Sequence, residues 1–166
     1  MDRQIILIAH NLRSCHNVGA LLRTAEGLNI QNVYLTGYTP YPQAPNDSRL
    51  PHIQRQVGNK INKTALGAEI TVNWEQQTNI DNVLSALKKA GYTIVGLEQT
   101  PKSISVATYK PTNKIALLIG REVEGIESDI LEQTDLCLEI PMLGKKESFN
   151  VVEATSMALF HCRFAD

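Results

Sequence analysis

Lys114-Ile115-Ala116-Leu117-Leu118-Ile119-Gly120-Arg121-Glu122-Val123-Glu124-Gly125-Ile126 begins as an unbroken apolar run and then turns abruptly at a glycine. A short apolar run without polar alternation fits a strand covered on both faces, as in a parallel sheet. The turn sets acidic residues between Gly120 and Gly125 at the carboxyl end of that strand, where open α/β sheets bind ligands. Its spacing is G-x-E-x-x-G, which is neither the G-x-G-x-x-G dinucleotide fingerprint nor a P-loop. Nicotinamide-dinucleotide and nucleoside-triphosphate chemistry therefore lose their main support.

Working outward, apolar runs alternate with segments of helical period, which predicts an α/β domain with a mostly parallel sheet flanked by helices. The predicted strands are 4–9, 32–35, 69–72, 93–97, 114–119 and 136–140. The predicted helices are 18–28, 80–90, 128–134 and 151–162. Between Gly37 and Pro51, four prolines and Asn46-Asp47 read as a long surface loop. Arg49, Arg55, Lys60 and Lys63 cluster in or just after it.

The 166 residues fit one domain, 1–166, large enough to fold without disulfides or a structural metal. The run Ile5 to Ala9 is too short for a signal-peptide core, and no apolar run reaches membrane-spanning length, so a cytoplasmic protein is expected. Cys15, Cys137 and Cys162 have no metal or disulfide spacing, and the histidines likewise suggest no metal. A net charge of -1 argues against coating nucleic acid by charge alone, so any RNA contact must use a local basic patch. Cys15 beside His16 is a poor nucleophile-base pair, because nothing orients the imidazole. Trp74 fits packing better than base stacking.

Two further segments carry polar residues in suggestive places. In Asn17-Val18-Gly19-Ala20-Leu21-Leu22-Arg23-Thr24-Ala25, Asn17 is the expected N-cap and Val18, Leu21, Leu22, Ala25 and Leu28 form the sheet-facing stripe. Gly19 and Arg23 share the opposite face, where a nucleotide can approach the backbone and meet the guanidinium. In Ile140-Pro141-Met142-Leu143-Gly144-Lys145-Lys146-Glu147-Ser148-Phe149-Asn150-Val151-Val152-Glu153-Ala154, a strand runs into a loop, and Ser148 or Asn150 is placed to cap the last helix. Taken singly, each segment also fits ordinary structural duty: a solvated arginine, a strand-to-helix turn, a capping Ser-x-Asn.

Together and in this order, the three segments resemble the signature motifs of the SpoU (TrmH-like) branch of the SPOUT methyltransferases, which read approximately N-x-G-x-x-x-R-x-A, G-x-E-x-x-G and I-P-M-x-G-x-x-x-S-L-N-V. The resemblance spans Asn17 to Ala154. Gly91-Tyr92-Thr93-Ile94-Val95-Gly96-Leu97-Glu98-Gln99-Thr100 is also similar, more softly, to the tRNA guanosine 2′-O-methyltransferases of that family. The resemblance implies an RNA ribose 2′-O-methyltransferase dependent on S-adenosyl-L-methionine, a deep C-terminal trefoil knot from about Gly120 onward, and a homodimer. Topology rules alone would not propose the knot.

Carried over by motif, Arg23 matches the catalytic arginine, and Asn17, Glu122, Ser148 and Asn150 match its supporting polar residues. Gly120, Ile140, Met142, Gly144, Ser148 and Asn150 are the implied cofactor contacts. Arg13, Arg49, Arg55, Lys60 and Lys63 are the expected RNA phosphate contacts. Phe149 and Val152-Glu153 depart from the family pattern, which bears on the wall of the pocket or the dimer surface. No extra RNA-binding domain is seen, so recognition is expected from the catalytic domain itself, with tRNA the first substrate; a D-loop guanosine comes first as the target and a wobble nucleotide second. The alternatives are a catalytically silent RNA-binding SPOUT protein and a SPOUT enzyme acting on a base nitrogen.

Overall fold

Strand β1 (Gln4–His10) is buried from Ile5 to His10, so both its faces are covered. It pairs in parallel with β2 (Asn32–Thr36) on one side and with β6 (Lys114–Ile119) on the other. With β3 (Trp74–Gln77), β4 (Thr93–Leu97), β5 (Ile104–Ser105) and β7 (Leu136–Glu139), these form a seven-stranded sheet of order β3-β2-β1-β6-β4-β7-β5. Every strand pair is parallel. The computed structural model describes residues 3–165; Met1, Asp2 and Asp166, at the ends of the expected domain, lie outside the described residues.

Alternate residues of the central strands feed two separate cores. Ile5, Leu7 and Leu117 pack with Leu21 and Leu22 of α1 (Cys15–Gly27) and Ala158 and Leu159 of α6 (Val151–Phe164). Ile6, Ile8 and Leu118 face the opposite way, toward Val83 and Leu84 of α4 (Ile80–Lys89) and Ile130 of α5 (Ser128–Leu131). The side-chain period of two along a strand thus places a helical layer on each face.

Four expectations need correction. Residues 69–72 are not a strand: Ala68–Thr71 forms the short helix α3, and the strand follows at Trp74, paired with Val33. Leu66, with a φ of 53°, ends the preceding helix in the left-handed region, and the Trp74 indole N–H donates to the Glu69 carbonyl at 3.0 Å, folding this corner tightly. That preceding helix, α2 (Pro51–Ala65), was not expected at all. Pro51 begins it, as proline favours the first helical turn, so the segment just after the loop, with Arg55, Lys60 and Lys63, is a helix. Third, α1 starts earlier than predicted and its N-cap is Ser14, whose side chain accepts the Asn17 N–H at 3.2 Å. Asn17 is therefore inside the first turn with its amide free to point elsewhere.

The fourth correction concerns Gly19. It is buried rather than open to a nucleotide, because α2 lies against it: a Cβ there would sit 2.2 Å from the Ile61 carbonyl oxygen and 2.3 Å from Thr64 Oγ1. The glycine permits close helix-helix approach. Gly27, at the other end of α1, has open space around it. Gly19→Ala is therefore expected to cost ~1–3 kcal/mol through forced backbone shifts, whereas Gly27→Ala should be neutral or stabilising. Denaturant titration of both variants checks this.

Candidate functional site

The carboxyl ends of β4, β6 and β7 leave a cleft of about 290 Å³. Its apolar walls are Leu97, Ile119, Leu138 and Ile140, at or next to the carboxyl ends of those strands. Above them stand Ser148 and Phe149, from the segment entering α6. An apolar floor with a few polar groups at the rim is the usual construction of a small-molecule site.

The loop after β6 makes one wall by doubling back on itself. Arg121 and Gly125 exchange N–H···O bonds of 3.1 Å in both directions. A Cβ on Gly120 would lie 2.5 Å from the Ile126 nitrogen, and Gly125 has a φ of +74°, so both positions demand glycine. The G-x-E-x-x-G spacing is thus the spacing of a tight hairpin, with its acidic residues on the outside.

Those acidic residues lace the hairpin to the loop after β1. The Glu122 carboxylate accepts the Ser14 N–H at 3.0 Å, the Arg13 N–H at 3.2 Å and the Asn17 side-chain amide at 3.1 Å. Glu124 pairs with the Arg13 guanidinium at 2.8 Å. Glu127 accepts from the Asn11 amide at 2.8 Å and lies 3.6 Å from Arg121 Nε and 3.8 Å from the buried His10 ring. The Arg13–Glu124 pair is exposed and contributes little. Glu122 is the stronger tie, since a charged acceptor on backbone N–H groups is worth more than a surface ion pair. Burial tends to raise its pKa, but the Ser14, Arg13 and Asn17 donors outweigh that and hold it below the usual glutamate value. His10 is shifted down, chiefly by burial and against the pull of Glu127.

The remaining residues singled out by sequence divide around this cleft. Gly120, Ile140, Ser148 and Glu122 line it. Asn150 falls between the lining residues Phe149 and Val151 without lining the cleft itself, and caps α6, accepting the Val152 N–H at 2.8 Å. Met142 borders a shallow groove that shares Gln99 and Glu139 with the cleft, and Gly144 is exposed with nothing within 4 Å of its Cβ position. Arg23 lines a neighbouring groove with Lys63, Thr64 and Val152. Val151 belongs to the cleft and Val152 to the groove, so the first turn of α6 lends one residue to each.

Arg55, Lys60 and Lys63 lie exposed on α2, a helix with no acidic residue. Arg49 instead turns inward: its guanidinium pairs with Asp47, donates to the Tyr41 and Pro42 carbonyls and stacks 3.6 Å from the Tyr41 ring centroid. It is a lock for its own loop. Glu98 and Arg121 also line the cleft and were not singled out. The signals for Glu98 were its place as the residue after β4 and its position in the segment with the softer likeness. Among the described residues, no group of three or more His, Cys, Asp or Glu is placed to hold a metal, and no helix is long and apolar enough to cross a membrane.

The family model described as SpoU rRNA Methylase family matches residues 4–160. The chain is 25% identical over 157 residues to a tRNA (guanosine(18)-2'-O)-methyltransferase of Borreliella burgdorferi, covering 94% of this chain and 64% of that protein. It is 30% identical over 159 residues to a 23S rRNA (guanosine-2'-O-)-methyltransferase RlmB of Neisseria meningitidis, covering 96% of this chain and 58% of that one. The chain thus spans about three-fifths of the length of these relatives. A solved AdoMet-bound rRNA methyltransferase from Sinorhizobium meliloti shares the fold at a TM-score of 0.79 and 19% identity, over 98% of this chain and 57% of that chain.

The Glu122 tie generates a pH prediction. A carboxylate held below its ordinary value stabilises the fold above about 4.5, the unperturbed value, and that contribution disappears as pH falls through the lowered one. Glu122→Gln should flatten the stability-versus-pH curve in that acidic window and cost ~1 kcal/mol at neutral pH, less than a fully buried tie because the site is partly solvated. Urea titrations at several pH values measure it.

Proposed function

We propose, from the premise that this chain belongs to the SpoU rRNA Methylase family, that it methylates the ribose 2′-hydroxyl of an RNA, tRNA first, using S-adenosyl-L-methionine. The observation that carries the reading is the Glu122 tie, which joins the Arg23-bearing segment to the hairpin walling the cleft. The cleft fits the methyl donor by its chemistry: apolar Leu97, Leu138 and Ile140 for an adenine, and Glu98 and Glu122 carboxylates near a cation. When bound there, the cofactor supplies a methyl group on a positively charged sulfonium.

The residues' own tasks follow from their places. Gly120 and Ile140 form the wall and floor against the adenosine, Ser148 offers its hydroxyl at the rim, and Asn150 fixes the first turn of α6. Met142 and Gly144 belong to the loop that closes over the ligand. Arg23, in the adjoining groove, orients the ribose hydroxyl and stabilises the negative charge that develops as it loses its proton; Asn17 and Glu122 hold the segment that presents it. Departure of a neutral thioether needs no Lewis acid, so alignment of oxygen, carbon and sulfur is the main catalytic task.

RNA lies along the acid-free outer face of α2, where Arg55, Lys60 and Lys63 meet phosphates, with Arg13, before α1, as a further phosphate contact. The chain is a single catalytic domain, acting in the cytoplasm. From Gly120 onward it forms the trefoil knot of the family, with the cofactor held inside. It works as a homodimer through α1 and α6: Met157, Phe160 and Phe164 form an exposed apolar stripe on α6, with Phe160 and Phe164 at 59% and 62% exposure, which a second copy would cover.

Methyl transfer from labelled S-adenosyl-L-methionine to unmodified tRNA, with nucleoside mass spectrometry, tests the reading. Wild type should yield a 2′-O-methylnucleoside, and Arg23→Ala should lose on the order of 10²-fold or more in rate while still binding cofactor. A base-methylated product would move the reaction to a base nitrogen. Cofactor-free RNA binding without transfer would make the chain a silent RNA-binding protein.

A further inference from the structure

Glu98 follows β4, in the segment that carries the softer likeness, and the proposed reaction uses it only as a negative charge beside the cofactor's cation. Its carboxylate is nonetheless fully engaged: Oε2 accepts the Ile126 N–H at 2.9 Å, and Oε1 accepts the Gln99 N–H at 3.1 Å. The backbone beneath it is equally fixed. The Glu98 N–H donates to the Leu138 carbonyl at 2.9 Å, and the Glu98 carbonyl accepts from the Ser103 hydroxyl at 2.7 Å. That hydroxyl in turn accepts the Thr100 N–H at 3.0 Å, so Glu98 to Ser103 is a closed turn built around one side chain.

The hairpin is shaped to receive it. A Cβ placed on Gly125 would lie 2.1 Å from Glu98 Oε2, so the carboxylate is seated directly on the glycine's open face. Glu98 and Gly125 both line the cleft with Gly120. Glu122 holds the hairpin from the α1 side, and Glu98 holds it from the β4 side. A hairpin tied on one side only retains freedom to pivot about its two glycines; a second acceptor on the opposite side removes it.

We infer that Glu98 is a positioning residue for the cofactor cleft, gripping the Gly125–Ile126 corner so that the hairpin wall stands at a fixed height above Ile140. The inference rests on the methyl-donor reading of the cleft. Charge and acceptor capacity are both required. A glutamine of the same size keeps one acceptor but turns an NH₂ toward one of the two N–H groups, setting donor against donor. Glu98→Gln therefore removes the charge and one of the two acceptors, weakening the grip without opening a cavity.

The experiment uses the whole chain as wild type, Glu98→Gln, Glu98→Ala, Gly125→Ala and the Glu98→Ala/Gly125→Ala pair. S-adenosyl-L-methionine affinity is read by calorimetry, and exchange of the Ile126 amide by NMR without cofactor. Glu98→Gln should bind about tenfold more weakly, with faster Ile126 exchange. Its KM for cofactor should rise while its KM for RNA stays at the wild-type value, which general destabilisation would not produce. Gly125→Ala should weaken binding less in the Glu98→Ala background, where the crowding carboxylate is gone, than in wild type. Wild-type affinity in Glu98→Gln, or equal effects of Gly125→Ala in both backgrounds, overturns the inference alone. Failure of wild type to bind the cofactor at all overturns the functional reading, and this inference with it.

Discussion

One carboxylate gathers donors from two loops far apart in sequence. Glu122, on the hairpin after β6, accepts from the Arg13 and Ser14 backbones and the Asn17 amide at the start of α1. Parallel strands put both loops at the same end of the sheet, because β1 and β6 are neighbours and run the same way. A lone carboxylate reaching inward would be costly, yet three donors satisfy it, and the tie becomes stabilising. The same contact consumes the Ser14 N–H, which the start of α1 could not pair internally. Local helix chemistry and long-range architecture are thus served by one side chain.

The consequence is geometric. The hairpin walls the cleft, α1 carries Arg23, and the first turn of α6 lends Val151 to the cleft and Val152 to the Arg23 groove. In the proposed reaction these are the donor side and the acceptor side, and the transfer depends on holding them in register to within fractions of an ångström. Gly19 contributes at a distance by letting α2 lie directly on α1, which brings Lys63 and Thr64 into the groove beside Arg23. The basic surface of α2 is local, as it has to be in a chain whose net charge is -1.

The sequence made the buried framework readable because burial on two faces leaves unbroken apolar runs. Strands β4 and β6 match their expected limits, and β1, β2 and β7 differ only at their ends. Edge elements leave no such mark. β3 reads Trp74-Glu75-Gln76-Gln77, with one side chain in two exposed, and α2 has only Ile53, Val57, Ile61 and Ala65 as an inner stripe, interrupted by Gly58 and set among amides. At the site, the hairpin glycines and the cleft-lining Ser148 and Ile140 were visible as motif positions. Three things were not: that Ser14 rather than Asn17 caps α1, that Arg49 is spent on its own loop, and that Glu98 reaches Ile126, a partner 28 residues away. Each depends on which of several polar partners comes within reach after folding, and spacing carries no information on that.

A crystal structure of the chain with S-adenosyl-L-homocysteine bound tests the central claim most directly. The account predicts the adenine against Leu97, Leu138 and Ile140, the sulfur toward the first turn of α6 where the Arg23 groove opens, and the Glu122 contacts to Ser14 and Asn17 intact. A ligand seated elsewhere on the sheet, or a hairpin that releases Ser14 and Asn17 to admit it, would contradict the account.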